Sequence, residues 1–252
     1  MLKKNETVLI DVNEDNVCDT GFFCYMSKRK SKGYRRKLDW LRLRFAEGMK
    51  VKMLGQGQRG FIEYIPAEYA WRPVSADGFM MIHCLWVVGK SKGKKYGSLL
   101  LETCLKDAKK IGMKGVAAVT SQGNWLIGKN ILKNHGFESV GQAPPCFELM
   151  VKPFGKSLLP SFTDNWDKKA RQYGRGLTII RSDQCPYLDD ATKIALETAK
   201  ELGFGGRVVE LKDCRQVRAQ APSAYGVFSL VYNGKLLSYH YLTKKELIKK
   251  LE

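Results

Sequence analysis

The sequence predicts an α/β (α+β) fold, with a mixed β-sheet and flanking helices followed by a smaller unit of order βαβαββα. Two observations predict this. Segments with the apolar alternation of strands come first and then interleave with segments of helical period, which is typical of helices packed on a mixed sheet. A stretch containing prolines and glycines and lacking an apolar period then separates two such series. We therefore expect domains at 1–152 and 176–252, joined by a linker at 153–175.

The first series of segments, residues 7–151, predicts a β-sheet with helices packed on it. The helix after the central strand carries Leu100, Cys104 and Ala108 at the spacing of one buried side. Strands are predicted at 7–12, 49–54, 60–65, 80–88, 115–120 and 146–151, and helices at 33–47, 96–111 and 125–134.

The second series is shorter and ends in a hairpin and a helix. Asn233-Gly234 lies between two apolar runs and predicts a two-residue hairpin turn. Thr243 followed by Glu246 predicts a capping box at the last helix. Strands are predicted at 177–181, 207–211, 227–232 and 235–241, and helices at 191–202, 214–220 and 243–251.

Composition excludes several classes of protein. The chain has 252 residues and seven cysteines, scattered and without a C-x-x-C pair, which predicts neither a disulfide scaffold nor a zinc site, so we expect no metal. No apolar run approaches the roughly 20 residues that cross a bilayer. The N-terminal residues lack an apolar signal core. We therefore expect a cytoplasmic protein without a membrane partner.

The charge balance is strongly basic, with 43 Lys+Arg against 25 Asp+Glu and a net charge of +18. Such a balance favours anionic partners. The densest basic cluster runs from Lys28 to Arg44, and it fits either a solvated helix face or a surface for an anionic ligand. Nucleic acid is disfavoured, because the cluster holds only Tyr34 and Trp40 as aromatic residues and matches no stacking module.

A loop rich in glycine and lysine lies between the strand at 80–88 and the helix at 96–111. Glycines let a backbone turn its N–H groups towards a ligand, and a helix N-terminus adds the positive end of a dipole. Lysines supply further charge for a pyrophosphate. The spacing fits neither a Walker A loop nor a dinucleotide fingerprint. The loop is Gly89-Lys90-Ser91-Lys92-Gly93-Lys94-Lys95-Tyr96-Gly97-Ser98.

The stretch from Lys92 to Gly97 resembles the acetyl-CoA signature of the GNAT N-acetyltransferase family, in which Arg or Gln precedes x-x-Gly-x-Gly or Ala. Lys92 replaces the Arg or Gln, and Lys95 replaces the inner glycine, where we expect ordinary helical dihedral angles. A segment that starts at Gly115 and closes on Gly136-Phe137 is similar to the family's second cofactor segment.

This resemblance covers about 150 residues and implies acetyl-CoA as the donor of an acetyl group that passes directly to an amine. It implies that strand backbone pairs with pantetheine and that the loop holds the pyrophosphate. The implied cofactor-binding residues are Trp86, Val87, Val88, Lys92, Gly93, Lys94, Lys95, Tyr96, Gly97, Ser98, Asn124, Lys129 and Asn130.

Acetyl transfer needs an uncharged amine and a polarised thioester carbonyl. The N–H of Val87 or Val88 is a candidate for the second role. Glu63 is the leading candidate base, because burial in an apolar strand would raise its pKa; the alternative is a solvated or lysine-paired carboxylate. His83 is the second candidate, and its alternative is a hydrogen-bonded core histidine. The family often has a tyrosine acid where this chain has Leu132.

The second series resembles the thioredoxin-like fold. Cys185-Pro186-Tyr187-Leu188 is similar to the Cys-Pro-Tyr-Cys of glutaredoxin, with Leu188 in place of the second cysteine. The resemblance implies a cis peptide at Ala221-Pro222, and a helix N-terminus would lower the pKa of Cys185. The region also resembles the YoaP-like domain that follows some bacterial GNAT proteins. Alternatively, the domain serves packing or assembly alone.

Three functions remain open. The first is acetylation of a small-molecule or peptide amine, with an anionic acceptor favoured by the basic wall and with Tyr34, Tyr69 and Trp71 as candidate lining. The second is a thiol-dependent oxidoreductase or sulfur-handling protein that uses Cys185 and binds CoA in its first domain. The third is the disfavoured nucleic-acid-binding protein. The sequence specifies no oligomeric state.

Overall fold

The secondary structure, taken from a computed structural model, is described for residues 8–122 and 126–251. Within them the strands are β1 Leu9–Val12, β2 Lys50–Leu54, β3 Gly60–Pro66, β4 Val74–Ser75, β5 Phe79–Val87, β6 Gly115–Ser121, β7 Glu138–Ala143, β8 Phe147–Pro153, β9 Ser161–Phe162, β10 Leu177–Arg181, β11 Gly206–Glu210, β12 Phe228–Tyr232 and β13 Lys235–Ser238. The α-helices are α1 Val17–Thr20, α2 Lys32–Phe45, α3 Tyr96–Lys110, α4 Lys129–Asn134, α5 Trp166–Arg171, α6 Tyr187–Glu201, α7 Cys214–Gln220 and α8 Lys244–Leu251. Short 3-10 helices lie at Met26–Lys28, Ala67–Tyr69 and Gly89–Ser91.

The larger sheet confirms the predicted mixed α/β fold. Its seven strands run in the order β1-β2-β3-β5-β6-β8-β7. The β5–β6 pair is parallel and the other neighbours are antiparallel. Helix α3 connects the parallel pair and contacts β3, β5 and β6, as a crossover helix must. Its inner residues Leu100, Cys104 and Ala108 are fully buried, as the apolar period predicts.

The smaller sheet has four strands in the order β11-β10-β12-β13. Strand β11 pairs parallel to β10, whereas β12 pairs antiparallel to both β10 and β13. Asn233 and Gly234 both adopt positive φ in the hairpin turn, which the Asn-Gly pair favours. The predicted capping box is confirmed, because Thr243 N–H donates to Glu246 Oε2 at 2.8 Å and Glu246 N–H donates to Thr243 Oγ1 at 3.3 Å.

Several element limits differ from the prediction. Strand β7 was not predicted, since its sequence carries glycine and polar residues at the sheet edge. Helix α4 begins at Lys129, because Gly128 before it is extended. The predicted start of this helix, residue 125, lies outside the described residues, and residues 126–128 are not helical. Helix α6 begins at Tyr187 rather than at residue 191, and β13 ends at Ser238 rather than at residue 241. The segment 153–175 contains β9, which pairs with β4, and α5.

One hydrophobic core runs through both sheets. It joins the face of the large sheet that carries Phe61 and Met81 to Ile179 and Leu230 of the smaller sheet. A second core lies on the opposite face of the large sheet, beneath α3. The described residues contain no helix with the length and apolar character that a bilayer crossing requires.

Helix α2 lies at the junction of the two halves. Its Gly33 is buried against the carbonyl oxygen of Pro186, so close that a Cβ atom would clash with it. Arg36 forms ion pairs with Asp183, at 2.7 Å, and with Glu210. Part of the basic cluster therefore binds the C-terminal half instead of forming a purely solvated face. Lys30, Lys32, Arg35 and Arg42 remain exposed.

Candidate functional site

Strand β5 contains one inserted residue, His83. Tyr64 pairs with Ile82 and Glu63 pairs with Cys84, which leaves His83 as an inserted residue, a β-bulge. The parallel ladder between β5 and β6 also ends here, at Ile82 and Ala118. Beyond this point the two strands are no longer paired. We call the unpaired stretch between them the opening.

The bulge also exchanges the two faces of β5. Met81 lies in the core beneath α2, and so do Cys84 and Trp86 beyond the bulge. Ile82 lies in the core beneath α3, with Leu85 and Val87. Odd-numbered side chains therefore face α2 before His83, and even-numbered ones do so after it. The inserted residue decides which side chains border the opening.

The loop that follows β5 is fixed at its start and exposed beyond it. Ser91 is buried, accepts from Arg59 N–H at 2.9 Å and donates to Gln58 Oε1 at 3.1 Å. The lysines at 90, 92, 94 and 95 are exposed. No side chain caps the first turn of α3, so its N–H groups are available to an anion.

Lys95 corrects one expectation. It adopts a left-handed conformation, with φ 61° and ψ 10°, directly before α3. Ordinary helical dihedral angles were expected there. The left-handed conformation is one that glycine adopts without cost, and a side chain with a Cβ atom is strained in it. The chain therefore keeps a backbone shape suited to glycine while carrying a lysine.

The backbone of β5 corrects a second expectation. Val88 N–H donates to the carbonyl of Arg59 at 3.0 Å. This N–H group therefore points towards β3 and not towards a ligand at the other edge of β5. Trp86 is paired in register with Phe61 of β3. Successive residues of a strand direct their backbone groups to opposite edges, so Val87 faces the open edge. Of the three residues expected to pair with pantetheine, only Val87 has this orientation.

The second expected wall of the site is partly described. Asn124 lies outside the described residues. Asn130 is exposed. Lys129 Nζ is bound to both oxygens of Glu148, at 2.5 and 2.7 Å. Leu132 is fully buried and supplies no acid.

Glu63 lies at the centre of a buried polar cluster behind the bulge. Lys37 Nζ is 2.7 Å from its Oε2, and Gln184 Nε2 donates to its Oε1 at 2.9 Å. His83 Nδ1 lies 3.5 Å from the same Oε1. All four residues are at most 3% exposed. The cluster joins α2, β3 and β5 to the loop before α6.

The pKa of Glu63 is the reverse of the expectation. Burial alone would raise it, but the charge of Lys37 and the interaction with His83 outweigh burial and lower it to about 2. Glu63 is therefore the lysine-paired carboxylate of the alternative interpretation. A carboxylate of such low pKa is a weak proton acceptor.

His83 is also poorly suited to accept a proton. Its Nε2 accepts from Trp71 N–H at 3.0 Å, so the neutral ring carries its proton on Nδ1, beside Glu63. Burial lowers its pKa to about 4 against the opposing effect of Glu63. His83 is thus a neutral, hydrogen-bonded core histidine whose acceptor nitrogen is occupied.

A cavity of about 220 Å³ lies between the bulge and the C-terminal half. Five of its ten lining residues are aromatic, and three cysteines, one glutamine and one valine complete the lining. The lining residues are Phe23, Cys24, Phe61, Cys84, Trp86, Val88, Gln184, Cys185, Tyr187 and Tyr225.

Cys185 reaches this cavity but is not an activated thiol. Burial raises its pKa and outweighs the hydrogen bond from the Tyr187 backbone at the start of α6. The expected cis peptide at Ala221-Pro222 is also wrong, since the cis bond within the described residues is Pro144-Pro145. Burial likewise raises the pKa of Cys84 to about 12.

The sequence did not point to several residues of this region. Gln184 and Arg72 are both buried at the junction of the two halves. Arg72 donates to the carbonyls of Tyr225 at 2.9 Å and His83 at 3.0 Å. An arginine within the apolar run from Ala70 to Val74 was the one available signal. For Gln184 there was no such signal in the sequence other than its position next to Cys185.

The three residues expected to line an acceptor site, Tyr34, Tyr69 and Trp71, do not line this cavity. Tyr34 is buried in a stack on Phe22, and Trp71 packs on Trp40. Tyr69 is 44% exposed and lies outside the cavity. Over residues 8–122 and 126–251, no group of three or more His, Cys, Asp or Glu side chains is arranged to hold a metal ion.

Comparison with known proteins gives one relative that spans both halves. No model of a protein family matches the chain. The chain is 29% identical over 238 residues to YoaP of Bacillus subtilis strain 168, described as an uncharacterized N-acetyltransferase, and the match covers 93% of this chain and 94% of YoaP. Among solved structures, aminoglycoside 6'-acetyltransferase type Ii matches at 14% identity and a TM-score of 0.46, covering 60% of this chain and 100% of that one.

A GNAT family acetyltransferase from Brucella melitensis in complex with acetyl-CoA matches at 12% identity and a TM-score of 0.37, covering 60% of this chain and 92% of its own. The match to YoaP thus extends from the mixed sheet through the smaller one, and the relative that shares both halves with this chain is described as an N-acetyltransferase.

Proposed function

We propose that the chain is a GNAT-type N-acetyltransferase that transfers the acetyl group of acetyl-CoA directly to an amine. One observation carries this proposal. The β-bulge lies at His83, and the β5–β6 ladder ends at the residue before it. The opening between β5 and β6 begins there, and the glycine- and lysine-rich loop and the uncapped helix α3 follow it in the chain. The match to YoaP over 93% of the chain supports the same activity.

In this proposal the loop and the first turn of α3 hold the pyrophosphate. Lys92, Lys94 and Lys95 are exposed there, and the free N–H groups of the helix add to their charge. The Val87 backbone at the open edge of β5 is placed to pair with a pantetheine amide. Acetyl-CoA, as the second substrate, brings the activated acyl group.

We assign proton removal to none of the side chains first considered. Glu63 has a pKa of about 2 and His83 has its acceptor nitrogen occupied. Instead, Glu63 positions Gln184 and balances Lys37 behind the bulge. The amine then loses the extra proton of its ammonium form before it binds. After attack, one of its N–H protons leaves with the departing thiol or through solvent.

We further propose that 176–252 is a thioredoxin-like, YoaP-like domain without thiol redox activity. The strand order β11-β10-β12-β13 and the β-α-β-α-β-β-α succession support the fold. The raised pKa of Cys185 argues against the thiol-dependent oxidoreductase. Residues 1–152 form the acetyl-CoA-binding domain in this proposal, and the acceptor is a small-molecule or peptide amine.

Calorimetric titration with acetyl-CoA tests the donor. The wild-type chain should bind it, and the double variant Lys92→Glu/Lys94→Glu should bind at least tenfold more weakly, a loss of about 1.4 kcal/mol. The matched control is Lys106→Glu/Lys110→Glu, which makes the same change of charge on exposed positions towards the other end of α3. Equal affinity for all three proteins, or no binding at all, would contradict the proposal.

A further inference from the structure

We propose that the 220 Å³ cavity is the acceptor site, built jointly by the two halves, and that it selects a small aromatic amine whose nitrogen is uncharged at neutral pH. This inference rests on the proposed acetyltransferase function. It adds the substrate class and gives the C-terminal half a role in specificity.

The cavity lies where an acceptor would have to lie. Cys84 and Trp86, the first two β5 side chains beyond the bulge on the α2 face, line it. The opening between β5 and β6 begins at the same point. A nitrogen in the cavity would therefore be next to an acyl group held at the bulge, as bond formation requires.

The opposite wall belongs to the C-terminal half. Gln184, Cys185, Tyr187 and Tyr225 contribute four of the lining side chains. Gln184 is fixed by its hydrogen bond to Glu63, and the Tyr225 carbonyl by its bond from Arg72. These contacts cross the junction between the halves, so the wall is held in place by the N-terminal sheet. The first domain alone would leave the cavity open on this side.

The walls favour an aromatic ligand of limited size. At roughly 30 Å³ per water molecule the cavity corresponds to about seven waters, which suits a single ring with few substituents. Phe23, Phe61, Trp86, Tyr187 and Tyr225 present rings to it. Stacked and edge-on ring contacts stabilise an aromatic ligand beyond its buried area.

The charges around the cavity favour an amine whose nitrogen is unprotonated. No Asp, Glu, Lys or Arg lines the cavity. Three buried charged side chains lie behind the lining: Glu63 binds Gln184, Lys37 binds Glu63, and Arg72 binds the Tyr225 carbonyl. His83 is neutral, so this group carries a net positive charge. An ammonium would lose hydration there and meet no carboxylate. An amine conjugated to an aromatic ring is a weak base and enters uncharged.

One wall of the cavity is formed by a strained backbone segment, residues 23–25. Phe23 and Tyr25 both adopt left-handed conformations, with φ 78° and 58°, which side chains with a Cβ rarely do. Phe23 stacks on Phe61 with ring centres 4.7 Å apart, and Tyr25 packs edge-on against Tyr187 at 4.4 Å. Tyr25 also donates to Asp190. The segment thus presents Phe23 and Cys24 to the cavity and joins it to α6.

The reaction balances without a further reagent. The lone pair of the amine attacks the thioester carbonyl, an N–C bond forms and the C–S bond breaks. The electron pair of that bond leaves with sulfur, and the proton lost by nitrogen converts the thiolate to CoA thiol. An uncharged amine brings one proton fewer than an ammonium, so no base is needed before attack.

The test compares aniline with cyclohexylamine, a pair of equal ring size in which only aniline is aromatic and uncharged at pH 7. CoA release should give kcat/KM at least tenfold higher for aniline at pH 7, and only cyclohexylamine should improve as pH rises to 9. If cyclohexylamine is the better substrate at pH 7, the inference fails and the acetyltransferase proposal stands. If acetyl-CoA does not bind, the proposed function itself fails.

A variant pair tests the shared wall. Tyr187→Ala changes a side chain that is 36% exposed at the start of α6, so the fold should tolerate it. It should raise KM for aniline at least tenfold and leave acetyl-CoA affinity unchanged. Tyr232→Ala, in the same half but away from the cavity, should change neither. An unchanged KM in Tyr187→Ala would overturn the assignment of the wall.

Discussion

Gln184 Nε2 donates to Glu63 Oε1 at 2.9 Å, so a residue of the C-terminal half binds a buried carboxylate of the N-terminal sheet. Lys37 binds the other oxygen of the same carboxylate at 2.7 Å. A side chain that the sequence presented as a candidate base is thereby an attachment point between the two halves. The first two predictions concern this carboxylate.

Glu63→Gln should lower the free energy of unfolding by about 3 kcal/mol or more, because it leaves the ammonium of Lys37 buried without a counter-charge. Lys37→Met in the same background should restore part of the loss, since the unpaired charge is then gone. Urea denaturation of the wild type, both single variants and the double variant measures the coupling. Strictly additive losses would show that the pair does not interact.

Stability should fall on acidification in two steps. The pKa of His83 is about 4 in the folded chain against an ordinary value of 6.5, so the unfolded chain binds a proton in this window that the folded chain excludes. Glu63 has a folded pKa of about 2 against 4.5, so its contribution is complete above pH 4.5 and is lost towards pH 2.

Urea midpoints between pH 7 and pH 4, for the wild type and His83→Gln, check the upper step. Glutamine keeps an acceptor for the Trp71 N–H and cannot titrate, so the difference between the two proteins should shrink as pH falls. A difference that is constant with pH would assign the slope to other groups.

Gly33→Ala should destabilise the protein by about 1–3 kcal/mol, as expected for an overpacked site. Alanine is the better helix former by about 1 kcal/mol, so helix propensity alone predicts the opposite sign. The clash of the new Cβ with the Pro186 carbonyl decides the result, because backbone cannot move aside as a flexible side chain can. Gly155→Ala, where a Cβ meets open space, is the control in thermal denaturation.

Lys95→Gly should be more stable than Lys95→Ala by about 1 kcal/mol. Both variants lose the same charge, and only alanine keeps a Cβ atom in the left-handed conformation. Denaturant unfolding of the pair isolates the strain, and acetyl-CoA affinity should fall equally in both. Equal stabilities would mean that the loop relaxes to another conformation.

Cys185 should react with iodoacetamide at pH 7 more slowly than a free thiol, because burial raises its pKa. Cys18 is exposed and should be modified first. Peptide mapping of a labelling time course distinguishes the two. Rapid modification of Cys185 would restore the thiol-dependent alternative.

The sequence predicted most strands and helices because their signals are local. The apolar spacing of Leu100, Cys104 and Ala108, the Asn233-Gly234 turn and the Thr243–Glu246 cap each depend on residues that are close in the chain. Strand β7 lacked such a signal, since its glycine and polar residues are paired by β8 on one side only.

Only the part of the candidate site that is contiguous in the sequence could be predicted. The loop from Lys92 to Ser98 could be found from its own residues. The environment of Glu63 could not, because Lys37, His83 and Gln184 reach it from three other places in the chain. Burial of a carboxylate predicts a raised pKa until its neighbours are known, and here a neighbouring ammonium reverses the sign.

Because His83 is an inserted residue, the number of residues in β5 decides which of its side chains line the cavity. Deleting His83 would restore a regular ladder and exchange the two faces of the following strand. Leu85 and Val87 would then border the cavity in place of Cys84 and Trp86. Among homologous chains, a single gap at this position would therefore signal a different substrate more strongly than many substitutions elsewhere.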